Sequence, residues 1–205
     1  MEFQKWPSIP RLSKEIATVT EKIDGSNSCI RIRPSHGLYN NQTDIVVSSD
    51  SYNIWAQSRT RFLRPTKHED NFGFAAWVSS NATALVEILG LGDHYGEWWG
   101  NKIQRGYGLT NGTRRFSLFN VRRWEEIIDV HPGSTDVEEL CTVPLLYQGS
   151  FLDMDLKNLR ESLVTNGSVA APGFKAEGMV VSLRELNASY KVLLENDYLH
   201  KWELK

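Results

Sequence analysis

Cysteine is almost missing from this chain of 205 residues. Cys29 and Cys141 are the only two, too few for a disulfide framework or a thiolate metal centre. An excess of one charge is missing as well: 23 Lys and Arg stand against 25 Asp and Glu, a net of -2, which excludes a protein that grips nucleic acid by overall basicity and leaves only a local basic face. No apolar run reaches membrane-spanning length, and the N-terminus carries no signal-peptide core, so a cytoplasmic protein without a membrane partner is expected. The phosphate loop Gly-x4-Gly-Lys-Ser/Thr, the zinc pattern His-Glu-x-x-His and Cys-x-x-Cys are all absent. His36, His68, His94, His131 and His200 are scattered without ligand spacing.

What is present suits one folded core. With 40% hydrophobic and 11% aromatic residues, a single globular unit over 1–205 is expected, and so few residues follow Lys191 that no separate C-terminal domain is expected. Alternating apolar and polar positions predict strands over Ile16–Thr20 and Ser28–Arg33, with further strands at Asp44–Ser49, Arg115–Arg122, Val143–Tyr147, Gly178–Leu183 and Ser189–Leu194. Helical spacing predicts one helix over Phe72–Leu89, stopped by Gly90 and Gly92, and another over Asp153–Thr165, stopped by Asn166-Gly167. The glycine-rich run Gly90–Gly96 follows a helix and lacks dinucleotide spacing, which predicts a loop. The fold class is α+β.

Between the first two strands stands Glu21-Lys22-Ile23-Asp24-Gly25-Ser26-Asn27. A surface turn is one answer, since Asp-Gly and Ser-Asn are ordinary hairpin chemistry that needs no function. A lysine nucleophile at a strand end is the other. A free lysine amine has a pKa of about 10.4, so a nucleophilic lysine needs cationic neighbours or burial to lose its proton at neutral pH. Further along come Ser58-Arg59, Gly96-Glu97, Phe116-x-x-Phe119, Glu177-Gly178 and Tyr190-Lys191.

Taken in that order, from Lys22 to Lys191, the series resembles the covalent nucleotidyltransferase superfamily of polynucleotide ligases and mRNA capping enzymes, most closely its RNA ligase 2 type branch. The resemblance implies two packed antiparallel sheets with flanking helices and the nucleotide in the cleft between them. It implies that Lys22 takes AMP from ATP as a lysyl-N-AMP phosphoramidate, and that Lys191 neutralises the α-phosphate as pyrophosphate leaves. Many relatives carry a second lysine two residues on, where this chain has Leu193. Nucleotide contacts are implied for Glu21 and Ile23 beside the nucleophile, Asn27 on the phosphate, Arg59 with its planar fork, Glu97 on the ribose hydroxyls, Phe119 (rather than Phe116) against the adenine, and Lys191. Glu177 and Asp24 would serve a divalent metal, Mg2+ or Mn2+, for which hard oxygen ligands are suited.

The implied activity joins RNA 5'-phosphate and 3'-hydroxyl ends. RNA is thus the expected partner, with a helper protein or structured RNA holding the ends together. A DNA ligase or a capping guanylyltransferase would use the same lysine chemistry, and a non-catalytic nucleotide- or RNA-binding module is the alternative of another class. Arg61 and Arg64 extend a basic strip from Arg59, and Arg114, Arg115, Arg122 and Arg123 form a cluster that suits either RNA phosphates or a solvated strand face.

Overall fold

A computed structural model describes residues 2–6, 8–9 and 11–195. His200 lies outside the described residues. The chain divides into two compact units: residues up to Lys22 together with those from Leu145 onward, and Ile23–Pro144.

The first unit is a four-stranded antiparallel sheet. Its order is β11 (Ala188–Leu193), β10 (Gly178–Leu183), β1 (Ile16–Lys22), β9 (Leu145–Ser150). Alternation along β1 buries Ala17 and Val19, which meet Met179, Val181 and Leu183 of β10 beneath a helix. That helix follows β9 in the chain and presents Leu163 to the core, with Leu156 and Leu159 packed beside it. It runs over Leu156–Asn166, later than the predicted Asp153 start, because Asp155 is the N-cap and accepts the Asn158 N–H at 2.9 Å. Gly167, at φ 81°, ends it where Asn166-Gly167 predicts.

The second unit holds seven strands: β3 (Val47–Ser48), β4 (Tyr52–Ser58), β2 (Ser26–Pro34), β6 (Gly92–Gly100), β7 (Arg114–Leu118) and β8 (Leu140–Thr142) in that order, with β5 (Phe62–Leu63) paired to β4. Its pairings are antiparallel except β7 with β8, which is parallel. The predicted single helix over Phe72–Leu89 is two: α1 (Phe74–Ser80) and α2 (Ala82–Leu89). Asn81 divides them. Its side-chain amide donates to the Trp77 carbonyl at 2.9 Å and its backbone turns to φ -111°, ψ 13°, the local competition with helix bonds that asparagine offers. Phe74, Ala75, Val78, Leu85 and Leu89 from this pair cover Ile30, Ile32, Ile54, Trp98 and Phe116.

Four further expectations are corrected. Gly90–Gly96 is not a loop: from Gly92 it forms the start of β6, an interior strand whose His94 is buried while Tyr95 points out. The glycine signal misleads because Gly96 is there for packing. Asp44–Ser49 yields only the two-residue β3, and Tyr52–Ser58, which was not foreseen, supplies the buried Ile54 and Ala56. The strand over Arg115–Arg122 ends at Leu118, because Val121 and Trp124, three apart and both buried, turn the chain into the short helix α3 (Val121–Trp124). Val143–Tyr147 is broken at Pro144, which has no N–H for a ladder, so β8 and β9 belong to different sheets. With α3 assigned, the helix of the first unit is α4.

Gly96 gives the strand assignment a test. A Cβ there would lie 2.5 Å from the Ser117 carbonyl oxygen and 2.7 Å from the Phe116 ring. Gly96→Ala should cost about 2 kcal/mol of unfolding free energy in urea denaturation, the scale of core overpacking. A loop glycine would tolerate alanine, so an unchanged midpoint would contradict the packing described.

Candidate functional site

Lys22 ends β1, and strand register decides what stands beside it. Lys22 pairs with Gly178 of β10, which pairs in turn with Leu193 of β11. Glu177, one residue before β10, reaches back to Lys22: Oε2 lies 2.6 Å from Nζ, in an ion pair whose side chains are 28% and 17% exposed. Gly178 has no room for a side chain, since a Cβ would run into the Val192 carbonyl. Lys191 lies two register pairs along, opposite Val180, which is itself opposite Thr20. Lys22, Leu193 and Lys191 therefore lie on one face of this sheet.

Glu21 points the other way. It is 1% exposed, with Oε1 accepting from the Ser168 hydroxyl and Oε2 accepting the Val169 and Ala170 N–H groups at 2.8 and 3.1 Å. Its side chain thus holds the turn after α4. Burial pushes the carboxyl above the usual 4.5 even though the bonds from Ser168, Ala170 and Val169 pull the other way. Ile23 is buried as well.

In the second unit a row of polar side chains crosses three strands. Asn27 on β2 is the direct partner of Glu97 on β6, and the β2–β4 register that pairs Ser28 with Ser58 sets Arg59 beside Asn27. The Asn27 amide bridges the other two: Nδ2 donates to Glu97 Oε2 at 2.8 Å, and Oδ1 accepts from Arg59 Nη2 at 2.6 Å and Nε at 3.1 Å. Glu97 is only 7% exposed and accepts this amide bond. Asp24 forms an ion pair with Arg105 at 3.3 Å, and its N–H donates to the Tyr107 hydroxyl at 2.9 Å. Gly25 is required by packing, because a Cβ would come within 2.6 Å of the Trp98 carbonyl oxygen and 2.8 Å of Trp99 Cβ. Phe116 is fully buried in the core, whereas Phe119 is 42% exposed.

The structure therefore brings Lys22 and Glu177 together in one unit, and Asn27, Arg59 and Glu97 in the other. Sequence reasoning missed Ser168, Arg105 and Tyr107. Ser168 sits in no motif; Tyr107 carried one faint mark, its place between Gly106 and Gly108, which fits a backbone at φ 45°. Arg61 and Arg64 do not form a free basic strip. Arg61 donates to the Phe62 and Glu69 carbonyls, and Arg64 pairs with Asp44 and Glu69. Burial raises the thiols of Cys29 and Cys141 to about 11 and about 12, so neither competes with Lys22 as a nucleophile at neutral pH.

A divalent cation can be weighed against these groups. No three His, Cys, Asp or Glu side chains gather as a metal cage among the described residues. Glu177 is a half-open hard carboxylate, which fits an ion held by one or two carboxylates with the remaining ligands from phosphate and water. No helix among the described residues is long and apolar enough to cross a membrane.

Comparison with known proteins bears on the family and the fold. The RNA ligase family model matches residues 15–193. No curated protein matches the chain. Among solved structures the chain is similar to Naegleria gruberi RNA ligase. A mutant of that protein with ATP and Mn gives a TM-score of 0.57 at 18% identity, covering 91% of this chain and 52% of the other. The form with PPi gives 0.56 at 18%, covering 95% and 53%. A mutant with AMP and Mn gives 0.56 at 17%, covering 89% and 50%. At such identity the likeness shows the fold, and this chain spans about half the length of the ligase it matches.

Glu21 provides a test that needs no substrate. Because its carboxyl is raised in the folded state, folding takes up a proton between pH 4.5 and the higher folded value. Its contribution to stability is therefore full below pH 4.5 and is lost as pH rises through the folded value. Glu21→Gln removes this titration, so the wild type should lose stability relative to the variant over that rise in denaturant unfolding at stepped pH. A difference that does not change with pH would contradict the burial described.

Proposed function

The chain belongs to the RNA ligase family, and from that membership we propose that it is an ATP-dependent RNA ligase that joins 5'-phosphate to 3'-hydroxyl ends through an adenylylated Lys22. The observation that carries this reading is the Lys22–Glu177 pair, 2.6 Å apart at the end of β1. The pair fixes where the amine stands but favours its ammonium form, so activation would come from the Lys191 cation on the same sheet face once Lys22 is released from Glu177.

In the first step the Lys22 ammonium leaves Glu177, gives a proton to water and attacks the α-phosphorus of ATP as the neutral amine, and the nitrogen releases a second proton to water as the phosphoramidate forms. A P–N bond forms, the bond from the α-phosphorus to the bridging oxygen breaks, and pyrophosphate departs with the electron pair. Lys191, on the same sheet face, offers its ammonium to the negative charge that develops. Glu177 in the first unit and Asp24 in the second are the carboxylates proposed for a divalent cation, whose charge would favour departure of pyrophosphate. Arg59 and Asn27 serve the phosphate side of the nucleotide, Glu97 accepts from the ribose hydroxyls, and Phe119 offers a ring face to the adenine. AMP then passes to the RNA 5'-phosphate, and the 3'-hydroxyl displaces AMP to close the phosphodiester.

Sealing of a nicked RNA duplex with ATP tests this reading, with GTP and a nicked DNA duplex as controls. RNA sealed with ATP is expected. Labelling by GTP would favour a capping guanylyltransferase, DNA sealing a DNA ligase, and no nucleotide transfer at all a binding module. Within the same assay Glu177→Ala should lose activity by about 100-fold, the scale of removing one charge-stabilising group, and raised Mn2+ should restore part of it. Glu97→Ala should weaken nucleotide use without that rescue. Equal Mn2+ rescue of both would contradict this division of roles.

A further inference from the structure

The arginine cluster singled out in the sequence divides in the structure, with Arg114 and Arg115 at one cavity and Arg123 apart from it. The Arg123 guanidinium lies 4.4 Å over the Trp124 ring and donates to the Leu89 carbonyl, while Arg115 lies 5.3 Å over Trp99. Arg114 and Arg115 both line a cavity of about 440 Å³ in the second unit, with Trp77, Trp98, Glu138 and Glu139, a size suited to a small ligand. Successive residues of a strand point to opposite faces, so Trp98 lies across the sheet from Glu97. The cavity is thus separate from the row of Asn27, Arg59 and Glu97.

Its walls have three distinct characters. Trp77 is a half-buried indole wall, stacked on Phe74 with centroids 5.9 Å apart and planes at 25°. Its Nε1 donates to Glu139 Oε2 at 3.3 Å, which holds a carboxylate at the edge of the ring. Arg114 is fixed by Nε donating to the Asn101 carbonyl at 3.1 Å. Its guanidinium lies against Gly73, where a Cβ would meet Nη1 at 3.1 Å and where φ is +76°. The lining therefore combines tryptophan, arginine and glutamate side chains.

We propose that this cavity binds a guanine base of the RNA strand, a reading that rests on the ligase function above. Guanine alone among the bases has two acceptors, O6 and N7, that suit an arginine fork, and on its other edge the N1 and N2 donors that suit a carboxylate. Adenine would turn its N6 amino group toward Arg114 and an acceptor toward Glu138 and Glu139. Stacking on Trp77 supplies affinity. The acidic pair would repel a free nucleotide's own phosphates, which favours a base carried by a strand whose phosphates lie elsewhere.

The test is 19F NMR of the protein labelled with 5-fluorotryptophan, with the Trp77 resonance assigned through Trp77→Phe. The ligands are a single-stranded RNA tetramer containing guanosine, the same tetramer with inosine or adenosine in its place, and GMP. The guanosine tetramer should shift the Trp77 resonance, and inosine, which lacks the N2 amino group, should bind about tenfold more weakly. The adenosine tetramer should give no shift, and GMP should need a higher concentration than the tetramer. Arg114→Gln, Arg114→Lys and Glu139→Gln should each weaken the guanosine tetramer by about tenfold, since lysine lacks the fork and glutamine keeps an acceptor for Trp77 but loses the carboxylate. No Trp77 shift, or equal response to all three tetramers, would overturn the proposal, and GMP binding more tightly than the tetramer would overturn the strand assignment. Sealing without a Trp77 shift would sink this site and leave the ligase function standing. A guanine-specific shift without sealing would do the reverse.

Discussion

The pairing of β1 with β10 is the constraint on which the chemistry rests. Lys22 faces Gly178, so the residue before it, Glu177, lies within reach of the Lys22 amine. Side chains alternate along a strand, and a slip by one residue would send Lys22 to the core face and bring Glu21 out. Two features oppose that slip. Ala17 and Val19 are committed to the core with Met179 and Val181, and the Glu21 carboxylate is tied to the Ser168–Ala170 turn. The buried glutamate next to the lysine thus fixes which way the lysine points.

The second unit uses the same device with different residues. Direct pairing of Asn27 with Glu97, and the β4 register that brings Arg59 alongside, put three polar groups in one row. In both units the charged groups already have partners: Lys22 with Glu177, Asp24 with Arg105, and Glu97 and Arg59 through Asn27. A ligand that uses these groups exchanges partners and does not meet bare charges. That lowers the desolvation cost of holding them in place before the ligand arrives.

Much of this could be read from the sequence because strand chemistry is local. The alternation in β1, β2 and β10 placed Lys22, Asn27 and Glu177 at strand ends, and the Asn166-Gly167 stop was found by the left-handed glycine it needs. What escaped depends on contacts distant in sequence. Gly96 resembled a loop residue because its reason, the Phe116 ring and Ser117 carbonyl on the next strand, lies about twenty positions away. The buried anchoring of the Glu21 side chain could not be read because its partners stand at Ser168–Ala170. Arg61 and Arg64 resembled a phosphate-binding strip because charge alone does not reveal that Glu69 and Asp44 already engage them.

The central claim is that Lys22 is the residue that becomes covalently adenylylated. Intact mass spectrometry after incubation with ATP and Mg2+ tests it most directly. The wild type should gain the mass of one AMP, in a linkage labile to acid and stable to base as a phosphoramidate is, and Lys22→Ala should gain none. An adduct of the same size on Lys22→Ala would place the nucleophile elsewhere and contradict the account.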